Sequence, residues 1–144
     1  MDDIQSDRAE PNFTDKLMKL SKRAETTFWG KLGCELLSVT TNSAIISLEA
    51  EAEHLNLLGI VHGGVYMSLM DNAMGLVVMS DAQNERVVTA TMNTHFLASC
   101  NGGKLQCKAT LLHRTKRSIT LQAEVEDEKG QLLAWSSGLY RIIS

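Results

Sequence analysis

Only three cysteines occur in the chain, Cys34, Cys100 and Cys107. Their number is odd and their spacing fits neither a zinc site nor a redox pair, so they read as reduced thiols in ordinary core positions. Basic residues are also in short supply: 14 Lys and Arg stand against 17 Asp and Glu, for a formal net charge of -3. That balance offers no general cationic surface to nucleic acid or to an anionic membrane, and any anionic ligand has to be caught locally. The longest uncharged stretch, Leu55 to Met70, falls short of the roughly 20 apolar residues that cross a bilayer, and Asp71 interrupts its continuation. Met1-Asp2-Asp3 is neither basic nor followed by an apolar run, so we expect no cleaved targeting peptide and a cytoplasmic protein. Nucleophile elbow, phosphate-binding loop, dinucleotide fingerprint and zinc-type His pair are all missing, and neither a metal nor a resident cofactor is expected.

What is present fits one domain: 144 residues, 44% hydrophobic and 22% charged. Residues 1–11 are polar and acidic and read as a loosely ordered lead-in, leaving 12–144 as the domain. Asn12 with Asp15 resembles a helix cap, after which Phe13, Leu17, Leu20, Ala24 and Phe28 recur at helical spacing, with Gly30 and Gly33 marking the end. Cys34 to Val39 and Ala44 to Glu51 read as a hairpin turned by Thr40, Thr41 and Asn42. From Val65 to Met79 the chain is apolar on every side, which predicts a helix that is surrounded rather than laid on a surface. The period then changes to two. Val88, Ala90, Met92 and Phe96 alternate with polar neighbours, followed by Leu105, Cys107, Ala109 and Leu111, by Ile119, Leu121, Ala123 and Val125, and by a last run from Leu132 to Ile143. The short breaks between these runs predict an antiparallel meander. The fold class is therefore α+β, a curved antiparallel sheet wrapped around one long central helix, with an N-terminal helix. Such a sheet leaves edges and part of an apolar face uncovered, so pairing of at least two copies is expected.

Asn56 to Asp71 is the segment suited to chemistry. His62-Gly63-Gly64 opens the apolar helix, and the two glycines allow close backbone approach to a ligand. A helix N-terminus presents unpaired N–H groups and about half a positive charge, which suits an oxygen gaining negative charge during acyl transfer. The Gly63 and Gly64 amides are candidate oxyanion donors, although a Gly-Gly pair also suits a plain turn into a helix. Asp71 is the only formally charged residue between His54 and Asp81. Burying an unpaired carboxylate costs several kcal/mol, so donors, water or a ligand should surround it; a structural contact is the alternative. Asp71 lies eight residues beyond Gly63, about 12 Å along one helix, too far for both to meet one carbonyl. Two antiparallel helices related by a two-fold axis would bring Gly63 of one chain near Asp71 of the other.

With Asn56, Gly59, His62-Gly63-Gly64, Leu69 and Asp71 in this order, the chain resembles the PaaI-like branch of hotdog-fold thioesterases over roughly Gly33 to the C-terminus. The resemblance implies hydrolysis of an acyl-CoA or aryl-CoA to free acid and CoA, with no cofactor beyond the CoA of the substrate. It implies Asp71 as nucleophile or general base and the Gly63 amide as the group that polarises the carbonyl. Asn56 would place the attacking water or leaving sulfur, and His62 would support the loop. A Ser or Thr on the strand after the helix steadies the water in relatives, and Thr89 is the match; Thr91, on the same face by alternation, is its rival. Candidate substrate-binding residues are Gly64, Asn72, Arg114, Lys116 and Arg117, the last three forming a basic hairpin of the kind that holds the nucleotide end of CoA. A homodimer is the minimal active unit implied, with a dimer of dimers expected.

Two other readings are open at this level. Hotdog dehydratases and hydratases use a His and a carboxylate, roles for which His62 and Asp71 are the candidates in this chain. The dehydratases carry a proline-rich loop after the His, however, and the only proline here is Pro11. A non-catalytic acyl-CoA binder is the other, without any appended recognition helix to make it a regulator. A Cys-His nucleophile from Cys100 or Cys107 with His95 or His113 is weakest, because apolar strand positions suit inert thiols.

Overall fold

The structure, a computed structural model, describes residue 19, residues 22–81 and residues 85–143. The expected lead-in over residues 1–11 and most of the expected N-terminal helix lie outside these residues. What is described of that helix does not run on to Phe28: residues 22–24 are helical, a turn follows, and a separate helix α1 spans Phe28–Leu32. Gly30 lies inside α1 because a Cβ there would collide with the Glu25 carbonyl as the chain folds back. Gly33 ends α1 in the left-handed conformation, φ 94°.

Six strands follow: β1 (Glu35–Val39), β2 (Ser43–Ala50), β3 (Val87–Phe96), β4 (Gly103–Arg114), β5 (Ser118–Glu126) and β6 (Leu132–Ile142). The long helix α2 (Gly63–Asp81) lies between β2 and β3 in the chain. All strand pairs are antiparallel, in the order β1-β2-β4-β5-β6-β3. This is the curved sheet on one helix expected of a hotdog fold. The β1–β2 turn is held by Thr40, whose Oγ1 accepts the Asn42 and Ser43 N–H groups. Thr115 and Asp127 do the same at the β4–β5 and β5–β6 turns.

The expected meander holds for β4-β5-β6 but not for β3. β3 pairs with β6 at the far edge of the sheet, so residues 97–102 carry the chain across to β4. Three strand spacings of about 4.8 Å are within reach of six extended residues at about 3.3 Å each. That crossing passes the start of α2, where the Val61 N–H donates to the Cys100 carbonyl. A second departure lies within β3. The register shifts between Thr89 and Thr91, so Ala90 is an extra residue, a β-bulge. Thr89 stands opposite Tyr140 and Thr91 opposite Leu139, which are neighbours on opposite faces of β6. Thr89 and Thr91 therefore do not share a face as strict alternation predicted, and the run Val88, Ala90, Met92, Phe96 is split.

The inner residues of β2, β4 and β5 alternate as expected, with Ile46, Leu105, Cys107, Leu121 and Val125 fully buried. Against them α2 packs Leu69, Met70, Ala73, Met74 and Val77, also fully buried. In the single chain the helix is not surrounded: Met67 and Met79 are 39% and 42% exposed, with Asp71 and Gly75 half-buried between them. One side of an apolar helix is left without cover, as is the β3 edge. No helix among the described residues is long and apolar enough to cross a membrane.

Candidate active site

The approach to α2 is built by two side chains. Asn56 Oδ1 accepts the N–H groups of Leu58 (2.9 Å) and Ile60 (3.3 Å), while its backbone bonds to Ile60 and Gly59. Gly59 completes this loop at φ 80°, where a side chain would be strained. The carbonyl end of Asn56 is thus committed to the loop, and its NH₂ end is the part left for a ligand. His54 is buried; its Nδ1 accepts the Glu51 N–H (2.9 Å), so Nε2 carries the proton and donates to Leu32 O at 2.7 Å. The His54 carbonyl in turn accepts the His62 N–H, fixing the chain where it enters the helix.

At the helix start His62 Nδ1 accepts the Gly64 N–H at 2.8 Å. That capping bond occupies one of the two expected oxyanion donors. The Gly63 N–H has no acceptor among the described residues and is the amide left for a ligand. Space there is narrow, because a Cβ on Gly63 would lie 3.1 Å from the Phe96 ring. Phe96 comes to this position because β3 ends beside the start of α2, and its ring packs against Tyr66 with centroids 6.4 Å apart.

Two turns further along α2, Asp71 has the donors that burial demands. Thr89 Oγ1 donates to its Oδ1 at 2.9 Å and the Tyr140 hydroxyl donates to the same oxygen at 2.5 Å. Hydrogen bonds to a charged group are worth roughly 1.5–3 kcal/mol each, enough together to offset the several kcal/mol that partial burial of a carboxylate costs. Sequence reasoning reached Thr89 and missed Tyr140. Nothing local marks Tyr140 out: its place beside Thr89 depends on β3 pairing with β6, and the expected meander would have put β4 there.

The remaining candidates are not gathered around Asp71. Asn72 Nδ2 lies 3.6 Å from Cys34 Sγ, between the helix and the start of β1. Arg114 bonds Asp81 at 2.5 Å and Glu85 at 2.9 Å, tying the β4–β5 hairpin to the C-terminal end of α2. Lys116 and Arg117 are exposed on the same hairpin and form no ion pair among the described residues. Cys34 and Cys107 are poor nucleophiles. Burial pushes Cys34 up to about 11, with the Asn72 contact acting in the other direction, and burial raises Cys107 further. Cys100 is committed to the Gly102 carbonyl at 3.0 Å. No group of three or more His, Cys, Asp or Glu side chains able to hold a metal occurs among the described residues.

Residues 58–134 match the Thioesterase superfamily. The 1,4-dihydroxy-2-naphthoyl-CoA hydrolase of Listeria monocytogenes is 26% identical over 106 residues, which cover 73% of this chain and 86% of that protein. A mutant of the phenylacetic acid degradation protein PaaI from Thermus thermophilus superposes with a TM-score of 0.75 at 26% identity, covering 81% of this chain and 98% of its own. A thioesterase of Haemophilus influenzae shares the fold with a TM-score of 0.83 at 19% identity, over 89% of this chain and 90% of its own. Because the matched span exceeds half of the chain and contains both the helix bearing Asp71 and the strand bearing Thr89, this protein belongs to the thioesterase superfamily, as a PaaI-like hotdog enzyme that hydrolyses thioesters.

Proposed function

We propose that the substrate is an acyl-CoA or aryl-CoA and that Asp71 carries its hydrolysis, at a site shared by two chains. The observation that supports this best is the Asp71 carboxylate, anchored by Thr89 and Tyr140 on the side of α2 that its own sheet leaves uncovered. A second copy packed on that side through Met67, Gly75 and Met79, with β3 edges paired, would bury both the open helix face and the exposed strand. It would also bring one chain's Gly63 N–H toward the other's Asp71, removing the separation of about 12 Å within a single helix.

The chemistry follows from those two groups. The Gly63 N–H donates to the thioester oxygen as that oxygen gains negative charge and the acyl carbon becomes tetrahedral. Acting as base, Asp71 takes one proton from a water whose oxygen bonds to that carbon. The C–S bond then breaks with its electron pair on sulfur, and the proton held by Asp71 passes to the leaving thiolate. Acting as nucleophile, Asp71 itself bonds to the acyl carbon, the C–S bond breaks with its electron pair on sulfur to release the CoA thiolate, and water then hydrolyses the resulting anhydride to the free acid and the Asp71 carboxylate. Label left in Asp71 after a single turnover in ¹⁸O water identifies the nucleophilic route, with water entering at the Asp71 carbonyl of the anhydride. The reading as a whole is tested by thiol release from a panel of acyl- and aryl-CoA compounds; CoA binding without release from any of them would overturn it.

Because Arg114 is already paired, Lys116 and Arg117 are the hairpin cations available to CoA phosphates. Replacing both with glutamate should raise KM for CoA thioesters about three- to tenfold with little change in kcat, an effect that fades at high salt. The same acyl group on N-acetylcysteamine, which lacks the nucleotide, should show no such change. Equal effects on both substrates would remove the hairpin from the binding site.

A further inference from the structure

Tyr140 plays no part in the reading above beyond satisfying a carboxylate. It is 3% exposed on the inner face of β6, directly opposite Thr89 in the ladder. Its hydroxyl lies 2.5 Å from Asp71 Oδ1 and 3.1 Å from the Asp71 backbone oxygen. A phenol has one proton to give, and the shorter contact, to a carboxylate oxygen, takes it. Burial first, and then the neighbouring carboxylate, push the Tyr140 phenol far above its ordinary range, so it remains a donor at every working pH. Thr89 donates to the same Oδ1. Oδ2, by contrast, accepts no hydrogen bond from any described residue.

The final torsion of an aspartate is broad and roughly two-fold, so an unanchored carboxylate turns readily. Here two hydroxyls from adjacent strands hold one oxygen. The geometry points to Tyr140 as a positioning residue for thioester hydrolysis: with Thr89 it fixes Oδ1 and leaves Oδ2 as the carboxylate oxygen presented to the attacking water or the acyl carbon. This inference rests on the catalytic role proposed for Asp71. It also alters the part played by Thr89, whose proton is committed to Asp71, so that its hydroxyl can only accept from a water. The bulge at Ala90 makes the arrangement possible, because it turns Thr89 inward beside Tyr140 while the rest of β3 keeps its register with β6.

Tyr140→Phe keeps the ring and removes only the donor. Thiol release by the wild type is measured first and bears on the functional reading alone; the ratio of variant to wild type bears on Tyr140. With Oδ1 held by Thr89 alone, Oδ2 is no longer fixed in place and kcat should fall about 10- to 100-fold while KM stays within about twofold. Thr89 is exposed, so Thr89→Ala removes the second anchor without opening the core, and a loss of the same kind is expected. The double variant should lose more than the product of the two single losses, because either anchor alone still restrains the carboxylate. A merely structural hydroxyl would shift the melting temperature and leave kcat of the folded enzyme unchanged, and that result overturns the proposal. So does a double variant whose loss equals the simple product. Should Tyr140→Phe fail to fold, the kcat and KM split of Thr89→Ala decides: a change confined to KM overturns the anchoring of Oδ1.

Discussion

Replacing Asp71 with asparagine should lower kcat for thioester hydrolysis by about 10³-fold or more, while the protein melts within a few degrees of the wild type. Asparagine has nearly the same shape and keeps an oxygen for the Thr89 and Tyr140 hydroxyls, so the local hydrogen bonds survive. What is lost is the charge, and with it the ability to take a proton from water or to attack the acyl carbon. Stability should be held or slightly raised, because a partly buried carboxylate costs several kcal/mol to desolvate and its neutral isostere does not. Asp71→Ala is the harsher change: it leaves Tyr140 with only the backbone oxygen of residue 71 as partner. Activity should be equally low in both variants, and stability lower in alanine. Thiol release and thermal melts on the same preparations separate the two effects. An asparagine variant with more than about a tenth of wild-type kcat would take the chemistry away from this residue.

The second large effect concerns the backbone at Gly63, whose contribution is an N–H that no ordinary side-chain change removes. Gly63 is the first residue of α2, a position where proline is accommodated because its fixed φ suits the helix and the N–H there has no helical partner. Gly63→Pro therefore deletes the proposed oxyanion donor with the helix retained. Both proline and alanine add a Cβ that must share space with the Phe96 ring, so Gly63→Ala is the matched control that keeps the N–H. Alanine should lose severalfold through the shifted ring, and proline a further factor of about 10² to 10³ in kcat. If proline and alanine are equally active, the carbonyl is polarised from elsewhere, and the Gly64 N–H, now held by His62 Nδ1, becomes the group to consider.

Much of this arrangement is legible in the sequence. The wholly apolar stretch from Val65, broken by one carboxylate, marks both the helix and the group proposed to react, because burial leaves few reasons to keep a charge there. The alternation in β4 and β5 is read directly, since each of these interior strands buries one face. Legibility stops where long-range pairing decides. No local signal distinguishes β3 beside β4 from β3 beside β6, yet that choice puts Tyr140 rather than a β4 residue next to Asp71. The bulge at Ala90 is equally silent, since Thr89-Ala90-Thr91 suits a regular strand. Composition predicts a helix covered on every side, whereas the single chain leaves Met67 and Met79 open. That difference is what a second subunit would account for. Arg114 was read as a phosphate ligand because its acidic partners, Asp81 and Glu85, are 33 and 29 residues away in the chain.

The central claim is that Asp71 of one chain and Gly63 of another act on the same thioester. It is tested most directly by mixing Asp71→Asn and Gly63→Pro subunits, each nearly inactive alone, after dissociation and reassembly. A mixed dimer with shared sites contains one site carrying both defects and one carrying neither, so random reassortment should restore about a quarter of wild-type thiol release. If both groups act within a single chain, every site in every dimer keeps a defect, and a mixture no more active than its parents would contradict the account.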